Sequence, residues 1–366
     1  MTRITTVRTR TAPFSSGTWL DEVRVSTPMA PFPEHAERRS TWRGPGADVV
    51  WTHVATADPE VFGIGQARGG AVVESLVQEH LVPLLSTLDP TAPVHAAAVL
   101  RRAVAPYAEG GVAEMAVSAV ELALWDLSAR AAGLPLFRLL GGTADALPYY
   151  LTTPAPELLD RPEVAHMLPG ARCVKVPMAY GPHDGPARMR DNLARLAAVR
   201  ERVPAGIPLA VDCFMSWDLP YTLRFVAAAR DLDLAWVEEP LNPGDVAGHR
   251  ELRARLGPVA LAAGEHAFGL RAGRALVEQR AVDVLQSDVT WCGGLDVART
   301  LGALAQDAGV LFAPHASAMQ PWAVHLLAAT GPGAVAEVLL GLEDGVQVPR
   351  PGDGPGVGIR PEEVGL

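Results

Sequence analysis

The sequence has little of what several protein classes require. Only three cysteines occur, Cys173, Cys213 and Cys292, too few and too scattered for a disulfide framework or a zinc cluster. No apolar run reaches the roughly 18 residues of a transmembrane helix, so no membrane is expected as a partner. The first residues, MTRITTVRTR, are too polar for a signal peptide, and we therefore expect a cytoplasmic protein.

The chain also lacks an excess of positive charge. Its formal net charge is −10, and the sequence has no cluster of lysine or arginine that could bind phosphates, so nucleic acid is not an expected partner. A hydrophobic content of 49% with 20% charged residues is typical of a globular protein rather than a disordered one. Its 366 residues exceed the usual size of one hydrophobic core, which favours two domains.

Residues 1–145 are predicted to form a small α+β domain. Their first part is rich in strand-forming residues, as in ITTVRT, TWLDEVRVST and DVVWTHVAT. Apolar residues then recur at helical spacing over 71–85 and 112–132, and a Gly-Leu-Pro sequence ends the second helix. The segment GIGQARGG at 63–70 lacks the spacing of a dinucleotide-binding loop and favours a hairpin-like connection into a helix.

Residues 146–340 are predicted to form a parallel (β/α) barrel. Eight apolar segments are typical of buried strands: ALPYYLT, ARCVKVP, IPLAVDC, LAWVEE, PVALAAG, VDVLQS, GVLFAP and AVAEVLL. Most are separated by stretches with helical spacing, at 187–203, 219–231, 245–256, 270–280 and 293–309. The last stretch, 341–366, is rich in glycine and proline and is expected to return to the first domain or to lie over the barrel.

Ionisable residues recur at the ends of these strands. They follow one another at intervals of 22 to 27 residues: Asp212, Glu238, Glu265, Asp288, His315 and Glu337. That interval is what one strand, one helix and two short loops require. Because the C-terminal ends of parallel barrel strands meet at one rim, these residues predict a single active site and therefore an enzyme.

The first three of these residues predict a metal site. Asp212, Glu238 and Glu265 come from consecutive strands, and three converging carboxylates repel one another unless a cation lies between them. Ligands that are all oxygen favour Mg²⁺ over zinc. The alternative is that single members cap helices or pair with arginines.

The next two residues predict an acid–base pair. A strand-end Asp288 beside a strand-end His315 can orient the imidazole and stabilise its protonated form. Lys175, on the second strand, can hold a substrate carboxylate or its developing charge, with a Schiff-base role or an exposed strand end as alternatives. A divalent metal with a histidine base is the apparatus for removing a proton from the carbon next to a carboxylate.

Longer motifs carry a specific resemblance. They are ELALWDLSARAAGLPLFRLLGG, KVPMAYGPHDGPA, DCFMSWDLPYT, WVEEPLNPGDVAGHREL, AAGEHAF, QSDVTWCGGL and APHASA. By them the chain resembles the enolase superfamily, in its mandelate racemase-like branch and most closely the L-rhamnonate dehydratases. The resemblance implies a modified (β/α)8 TIM-type barrel, of the form (β/α)7β, with an α+β N-terminal capping domain.

The resemblance also implies roles for individual residues. Asp212, Glu238 and Glu265 become the Mg²⁺ ligands, and Asp288 with His315 becomes the catalytic dyad. Substrate-binding residues complete the set: Glu337 at the last strand, His266 beside the third ligand, and Arg24 and Arg39 in the N-terminal specificity segment.

Two departures from the pattern bear on the reaction and the substrate. Pro177 stands where racemases of this branch often carry the second lysine of a Lys-x-Lys motif, which weakens a racemase interpretation. Arg24 stands where the rhamnonate dehydratases have a histidine, which leaves the identity of the sugar open. Arg39 matches a basic residue expected further along.

We therefore predict a Mg²⁺-dependent lyase that converts an acid sugar into a 2-keto-3-deoxy acid and acts as a homo-oligomer. A racemase or epimerase of the same branch is the first alternative. A Schiff-base aldolase that uses Lys175 is the second, and a barrel that has kept only a binding or structural role is the third.

Overall fold

The computed structural model describes residues 2–14, 24–38, 47–107, 109–342 and 346–366. These residues build two β-sheets, a three-stranded antiparallel sheet near the N-terminus and an eight-stranded parallel sheet. Helices pack on both sheets. None of the helices in this described part of the chain is long and apolar enough to cross a membrane.

The antiparallel sheet consists of β1 (Ile4–Ala12), β2 (Val49–Thr56) and β3 (Gly63–Ala67). The third strand corrects the expectation of a hairpin-like connection at 63–70. Its two glycines have a packing reason, because a Cβ at Gly63 or Gly65 would lie 1.9–2.0 Å from a backbone oxygen of the long helix packed on the sheet. Glycine thus lets the strand and the helix approach each other closely.

A first group of helices packs on this sheet or on one another. In chain order they are α1 (Gly70–Leu76), a π-helical turn (Val77–Leu81), α2 (Val82–Leu85), α3 (Pro93–Val104), α4 (Val112–Ala131) and α5 (Leu136–Leu139). Helix α4 is almost entirely buried, since one side packs on β3 and the other faces the barrel. It buries three polar side chains: Ser118, Glu121 and Asp126.

The parallel strands follow in the predicted order. They are β4 (Tyr149–Thr152), β5 (Ala171–Pro177), β6 (Leu209–Asp212), β7 (Leu234–Glu238), β8 (Ala260–Ala263), β9 (Val284–Leu285), β10 (Leu311–Phe312) and β11 (Ala336–Leu339). From β4 to β10 each strand pairs with the next, and β11 pairs with β4. The remaining edge is joined where Val335 N donates to Phe312 O at 2.9 Å. The predicted barrel fold is confirmed.

Seven helices connect these strands. They are α6 (Pro162–Ala165), α7 (Arg188–Arg200), α8 (Leu219–Ala228), α9 (Val246–Arg253), α10 (Gly269–Glu278), α11 (Leu295–Asp307) and α12 (Pro321–Thr330). Short 3-10 turns lie at Pro33–Arg38, Pro156–Asp160, Leu168–Gly170, Pro182–Asp184, Arg230–Leu232, Ser317–Met319 and Pro361–Val364. The architecture is therefore (β/α)7β, and the five predicted barrel helices agree with α7 to α11 within a few residues.

The interior of the barrel is filled by side chains of mixed size. Tyr150 and Trp236 occupy it with small residues from the other strands, and their rings meet edge to face at 5.1 Å. Alternation of large and small side chains fills a closed barrel without voids. Above this apolar layer, toward the C-terminal ends of the strands, the inward-facing residues become ionisable.

The C-terminal segment runs back along the first part of the chain. Leu136 N donates to Gly356 O at 2.9 Å, and Val357 N donates to the buried Asp126 carboxylate at 2.8 Å. Arg10 reaches Val364 O at 2.6 Å. These contacts support our proposal of a capping domain at 1–145 that is completed by the C-terminal segment.

A buried histidine provides a stability test of this packing. His325 on α12 accepts the Phe137 N–H at 2.9 Å, and burial lowers the pKa of His325 to about 4. The folded state therefore keeps this histidine neutral, while the unfolded chain takes up a proton below its ordinary pKa near 6.5. We expect about 3 kcal/mol of stability to be lost as the pH falls from about 6.5 to 4. Urea unfolding at several pH values measures the loss, and His325→Gln, which can still accept the N–H, should flatten it.

Candidate active site

The C-terminal ends of the barrel strands bring the predicted residues to one rim. In the strand register Asp212 lies opposite Glu238, and Pro177 lies opposite Asp212. Glu265 follows β8 by two residues, whereas Asp288 and His315 each follow their strands by three. Apart from Asp212, which is partly exposed, these predicted residues are buried.

The backbone is strained at three of these strand ends. Phe214 and Met215 after β6, Glu239 after β7 and Ala316 after β10 all have positive φ, between 39° and 58°. Non-glycine residues adopt this conformation rarely and at a cost, and such positions concentrate at functional sites. Glu239 and Ala316 directly follow a predicted metal ligand and the predicted base, and the turn at Phe214 begins two residues after the predicted ligand Asp212.

Lys175 lies at the centre of a buried charge network. Its Nζ contacts Glu238 Oε1 at 2.5 Å and Glu337 Oε1 at 2.7 Å. Burial acts to lower the pKa of Lys175, but these two carboxylates raise it well above its usual value. The lysine is therefore protonated at neutral pH, and a protonated amine is not a nucleophile. This geometry opposes the Schiff-base alternative.

Glu337 joins this network to the loop that carries His315. Thr152 Oγ1 donates to its Oε1 at 2.6 Å and Ala316 N donates to its Oε2 at 2.7 Å. Burial would raise the pKa of Glu337, but Lys175 and His315 lower it to about 2. The carboxylate is therefore ionised, and both of its oxygens already have protein partners.

The three predicted metal ligands share an unbalanced negative charge. Burial raises the pKa of Asp212 to about 6, with Lys175 opposing and Glu265 reinforcing the shift. Burial also raises the pKa of Glu238 to about 7; the Asp212 carboxylate adds to this shift, and Lys175 opposes it. For Glu265, burial raises the pKa to about 7, opposed by His315 and reinforced by Glu239. Each carboxylate thus feels its neighbours as like charges.

His315 and Asp288 form the predicted hydrogen-bonded pair. His315 Nδ1 lies 2.8 Å from Asp288 Oδ2, and its Nε2 lies 3.3 Å from Glu265 Oε2. Burial would lower the pKa of His315, but Glu265 and Asp288 raise it to about 10. Asp288 itself is held by the N–H and the hydroxyl of Thr290, both at 2.7 Å, and by Gln320 Nε2 at 2.9 Å. The pair directs Nε2 toward the metal-ligand carboxylates.

A second histidine–carboxylate pair lies on the other side of Glu265. His266 Nδ1 is 2.7 Å from Glu239 Oε2 and 3.2 Å from Glu265 Oε1. Burial would lower the pKa of His266, but Glu239 and Glu265 raise it to about 9. The ring of Trp291 lies between the two histidines, 5.1 Å from that of His315 and 5.3 Å from that of His266. Sequence reasoning named His266 and missed Glu239, although the Glu-Glu doublet was a visible signal.

The rim offers two sets of metal-binding atoms. Glu239, Glu265 and His266 are the group of described residues whose ligand atoms already lie within 4.8 Å of one another. The predicted set instead has Asp212 and Glu238 on adjacent strands, with Glu238 turned toward Lys175 and toward Gln286 Nε2 at 2.6 Å. The first set includes a nitrogen, whereas the predicted set offers only oxygen, which suits Mg²⁺.

Arg24 lies beside this rim but has partners of its own. Its Nη2 contacts Asp184 Oδ1 at 2.7 Å, its Nε donates to Ala179 O at 3.2 Å, and the guanidinium lies 4.9 Å from the ring centre of Tyr180. Two residues on, Ser26 N donates to a backbone oxygen of the same loop after β5. The N-terminal segment is thus attached to the barrel mouth. Arg39 lies outside the described residues.

Two known families match most of the chain. Residues 25–141 match the family described as the mandelate racemase / muconate lactonizing enzyme N-terminal domain. Residues 163–364 match the family described as enolase C-terminal domain-like. The resemblance predicted from the motifs is confirmed by these matches.

Individual relatives support the same family assignment. A putative L-rhamnonate dehydratase of Caldivirga maquilingensis is 34% identical over 81% of this chain and 72% of that protein. An L-rhamnonate dehydratase of Saccharopolyspora erythraea is 34% identical over 82% of this chain and 75% of its own length. A Mg-complexed crystal structure of rhamnonate dehydratase from Gibberella zeae is 28% identical, with a TM-score of 0.85 over 99% of this chain and 95% of that one.

Proposed function

This chain belongs to the enolase superfamily, in its mandelate racemase-like branch, and on that premise we propose that it is a Mg²⁺-dependent hydro-lyase of an acid sugar. The observation that carries the proposal is the His315–Asp288 pair, whose Nε2 lies 3.3 Å from a carboxylate of the metal-ligand set. A base in that position can act on the carbon next to a metal-bound carboxylate.

The residues present fit a divalent cation. Six carboxylates face three basic side chains at this rim: Asp212, Glu238, Glu239, Glu265, Asp288 and Glu337 against Lys175, His266 and His315. A 2+ ion would offset much of the excess negative charge. Without an ion, burial raises the pKa values of the three ligand carboxylates, and neighbouring carboxylates add to the shift. We assign Asp212, Glu238 and Glu265 as its ligands. When bound, Mg²⁺ would polarise the substrate carboxylate and so make the C2 proton more acidic.

The first chemical role belongs to His315. Its Nδ1–H is held by Asp288. A cation bound to Glu265 would offset the negative charge that raises the pKa of His315, and would so leave Nε2 unprotonated to take the proton from C2 of the substrate. Asp288 then stabilises the imidazolium that forms. Lys175 has two of its three N–H donors directed to Glu238 and Glu337, and the third can bind the substrate carboxylate as negative charge develops there.

The second role uses the same imidazole again. The His315 imidazolium donates its proton to the departing C3 hydroxyl, and the C–O bond breaks to release water. The resulting enol becomes the 2-keto-3-deoxy acid after a proton is added at C3. A dehydratase needs a base on only one face, which agrees with Pro177 in place of a second lysine.

One observation favours the epimerase alternative. His266, held by Glu239 on the far side of Glu265, is another imidazole at this rim, and Glu239 and Glu265 raise its pKa to about 9. An acid there could return a proton to the opposite face of C2. Formation of the C2 epimer without a keto acid would identify this reaction.

The substrate we propose is L-rhamnonate or a close 6-deoxy or five-carbon acid sugar. The relatives named L-rhamnonate dehydratase support the class of acid sugar, while Arg24 in place of histidine makes the particular sugar the open question. A cytoplasmic location and a homo-oligomeric state complete the proposal.

A screen of acid sugars tests this function. The purified protein with Mg²⁺ should form keto acid, measured with a carbonyl reagent, from a small group of related aldonates. Omission of Mg²⁺ with added EDTA is the control and should leave no product. Absence of keto acid from every aldonate in a library that includes L-rhamnonate would exclude the proposal.

Substitution of Arg24 tests its role in specificity. Arg24→His should change the ranking of acid sugars by kcat/KM, because the residue lies where the N-terminal segment meets the barrel mouth. Thermal stability should change little, since the Arg24–Asp184 pair is partly exposed. Arg188→His is the control, because Arg188 lies over the same Tyr180 ring from helix α7. An unchanged ranking in Arg24→His would place the residue outside the substrate site.

A further inference from the structure

Helix α11 begins without a side-chain cap of its own. The residue before it is Gly294, whose φ is 98° and which has no side chain to bind the free N–H groups of the first turn. Glu121, 174 residues earlier in the chain, supplies the acceptors: its Oε2 accepts Leu295 N at 2.8 Å and its Oε1 accepts Asp296 N at 2.9 Å. A carboxylate is well suited to the start of a helix, where unpaired N–H groups and the helix dipole both favour negative charge.

Two further side chains of the N-terminal part hold the same loop. Ser118, one turn before Glu121 on α4, accepts Gly293 N at 2.9 Å. Arg101 on α3 donates to Gly293 O at 2.6 Å. The loop is shaped for these partners, because a Cβ on Gly294 would lie 2.2 Å from the Glu121 carboxylate, and the φ of Gly293 is 106°. Both glycines are therefore needed for this contact.

The held loop leads directly back to the catalytic pair. Trp291 N and Cys292 N both donate to Asp288 O, at 3.1 and 2.8 Å. The ring of Trp291 packs on His315, and Thr290 holds the Asp288 carboxylate. Only four residues thus separate Asp288 from the glycine that Ser118 binds. A shift of the loop would displace the carboxylate that orients the base.

We infer that Glu121, assisted by Ser118, is a positioning residue of the N-terminal domain. It fixes the loop that follows Asp288 and so keeps the Asp288 carboxylate oriented toward His315. This inference rests on the proposed function, because it assigns to the pair the role of general base. It gives helix α4 a part in catalysis although its side chains do not touch the reacting atoms. Supporting residues of this kind commonly contribute tenfold to a hundredfold to activity.

Helix α4 also provides a matched control. Asp126, five residues after Glu121, is likewise buried and likewise binds two backbone N–H groups, of Ile64 and Val357, each at 2.8 Å. These partners belong to β3 and the C-terminal segment, not to the catalytic loop. Asp126→Asn should therefore reproduce the general cost of disturbing a buried carboxylate on α4 without disturbing the dyad.

The experiment compares Glu121→Gln with Asp126→Asn. An amide offers one oxygen acceptor where the carboxylate offers two, so the Glu121→Gln variant leaves one loop N–H without an acceptor. We expect kcat for keto-acid formation to fall about tenfold to a hundredfold in Glu121→Gln, with KM within about twofold of the wild type. Asp126→Asn should keep kcat within about twofold of the wild type, even if its melting temperature falls as far as that of Glu121→Gln. Equal kcat losses in both variants would overturn the inference.

A spectroscopic readout separates this inference from the proposed function. The proton between His315 Nδ1 and Asp288 should give a downfield resonance in imidazole-labelled protein, assigned by its loss in His315→Asn. Glu121→Gln should shift or broaden that resonance, and Asp126→Asn should not; an unchanged resonance in Glu121→Gln would overturn the inference. This measurement needs no substrate, so it stands even where the acid-sugar screen fails.

A milder pair of variants guards against misfolding. Ser118→Ala removes only the hydroxyl that binds Gly293 N, whereas Ser128→Ala removes a hydroxyl on the same helix that, like Ser118, donates to the carbonyl four residues back. We expect a fewfold loss of kcat in Ser118→Ala alone. Equal activity of the two variants, with both folded, would argue against positioning by helix α4.

Discussion

Replacing His315 by asparagine should abolish both keto-acid formation and exchange of the C2 proton with solvent. We expect kcat to fall by about 10³-fold or more, because the proposed mechanism uses one imidazole both to remove the C2 proton and to protonate the leaving hydroxyl. Mg²⁺ binding should survive, since the assigned ligands lie on β6, β7 and after β8 rather than on the His315 loop. Rapid-quench assays, C2 exchange by NMR and calorimetric titration with Mg²⁺ measure the three quantities.

His249→Asn is the matched control for this variant. His249 is a fully buried histidine on helix α9 that contacts the backbone oxygen of Asp245 and is not one of the assigned site residues. It should lose stability without losing the chemical step. Retention of C2 exchange by His315→Asn would mean that another residue is the base, and His266 would be the first to test.

Removal of a metal ligand should have an effect of similar size. Glu265→Gln is expected to abolish detectable Mg²⁺ binding and to lower kcat about 10³-fold or more, because the residue is an assigned ligand of the ion and also faces Nε2 of His315. Asp212→Asn should weaken Mg²⁺ binding as well. Glu239→Gln and His266→Asn should leave Mg²⁺ affinity within about tenfold of the wild type, as expected for neighbours of the site. The reverse pattern would assign the ion to Glu239, Glu265 and His266 instead.

The metal affinity should also depend on pH. In the absence of a cation, burial raises the pKa of Asp212 to about 6 and those of Glu238 and Glu265 to about 7, so protons compete for the ligand atoms below neutrality. Mg²⁺ binding must displace those protons, and its affinity therefore rises as the pH rises. We expect at least about a tenfold loss of affinity for each pH unit below 6. An affinity that stays constant between pH 5 and 8 would contradict this ligand set.

The sequence predicts the barrel and its rim well because both are local signals. Each strand is a short apolar run, and each ionisable residue closes its own run, so Asp212 or His315 can be recognised without knowing any other part of the fold. Helices α3 and α12 were not predicted. Helix α12 is mostly apolar and six of its ten residues are buried, so it has little amphipathic period to detect.

The partners of the site residues could not be predicted in the same way. Glu239 meets His266 because its backbone turns to a φ of 39° just after β7. The Glu-Glu doublet makes Glu239 visible in the sequence, but it does not reveal this turn or the partner of the side chain. Gln320 reaches Asp288 from the start of α12, across 32 residues of chain. Glu121 reaches α11 across 174 residues. Such contacts depend on how the elements pack, which a pattern of neighbouring residues does not contain.

The predicted specificity segment shows the same limit. Arg24 was predicted to bind substrate, and it does lie beside the loop after β5, but its donors bind Asp184 and Ala179. Sequence position indicated the neighbourhood of the side chain and not its partners.

The most direct test of the account is the reaction of L-rhamnonate and related aldonates with the Mg²⁺-loaded protein in D₂O, followed by NMR. A single base on one face of C2 predicts a 2-keto-3-deoxy acid that carries solvent deuterium at C3, while the recovered substrate keeps its C2 configuration. Accumulation of the deuterated C2 epimer without keto acid would contradict it, and would show that this rim protonates C2 from both faces.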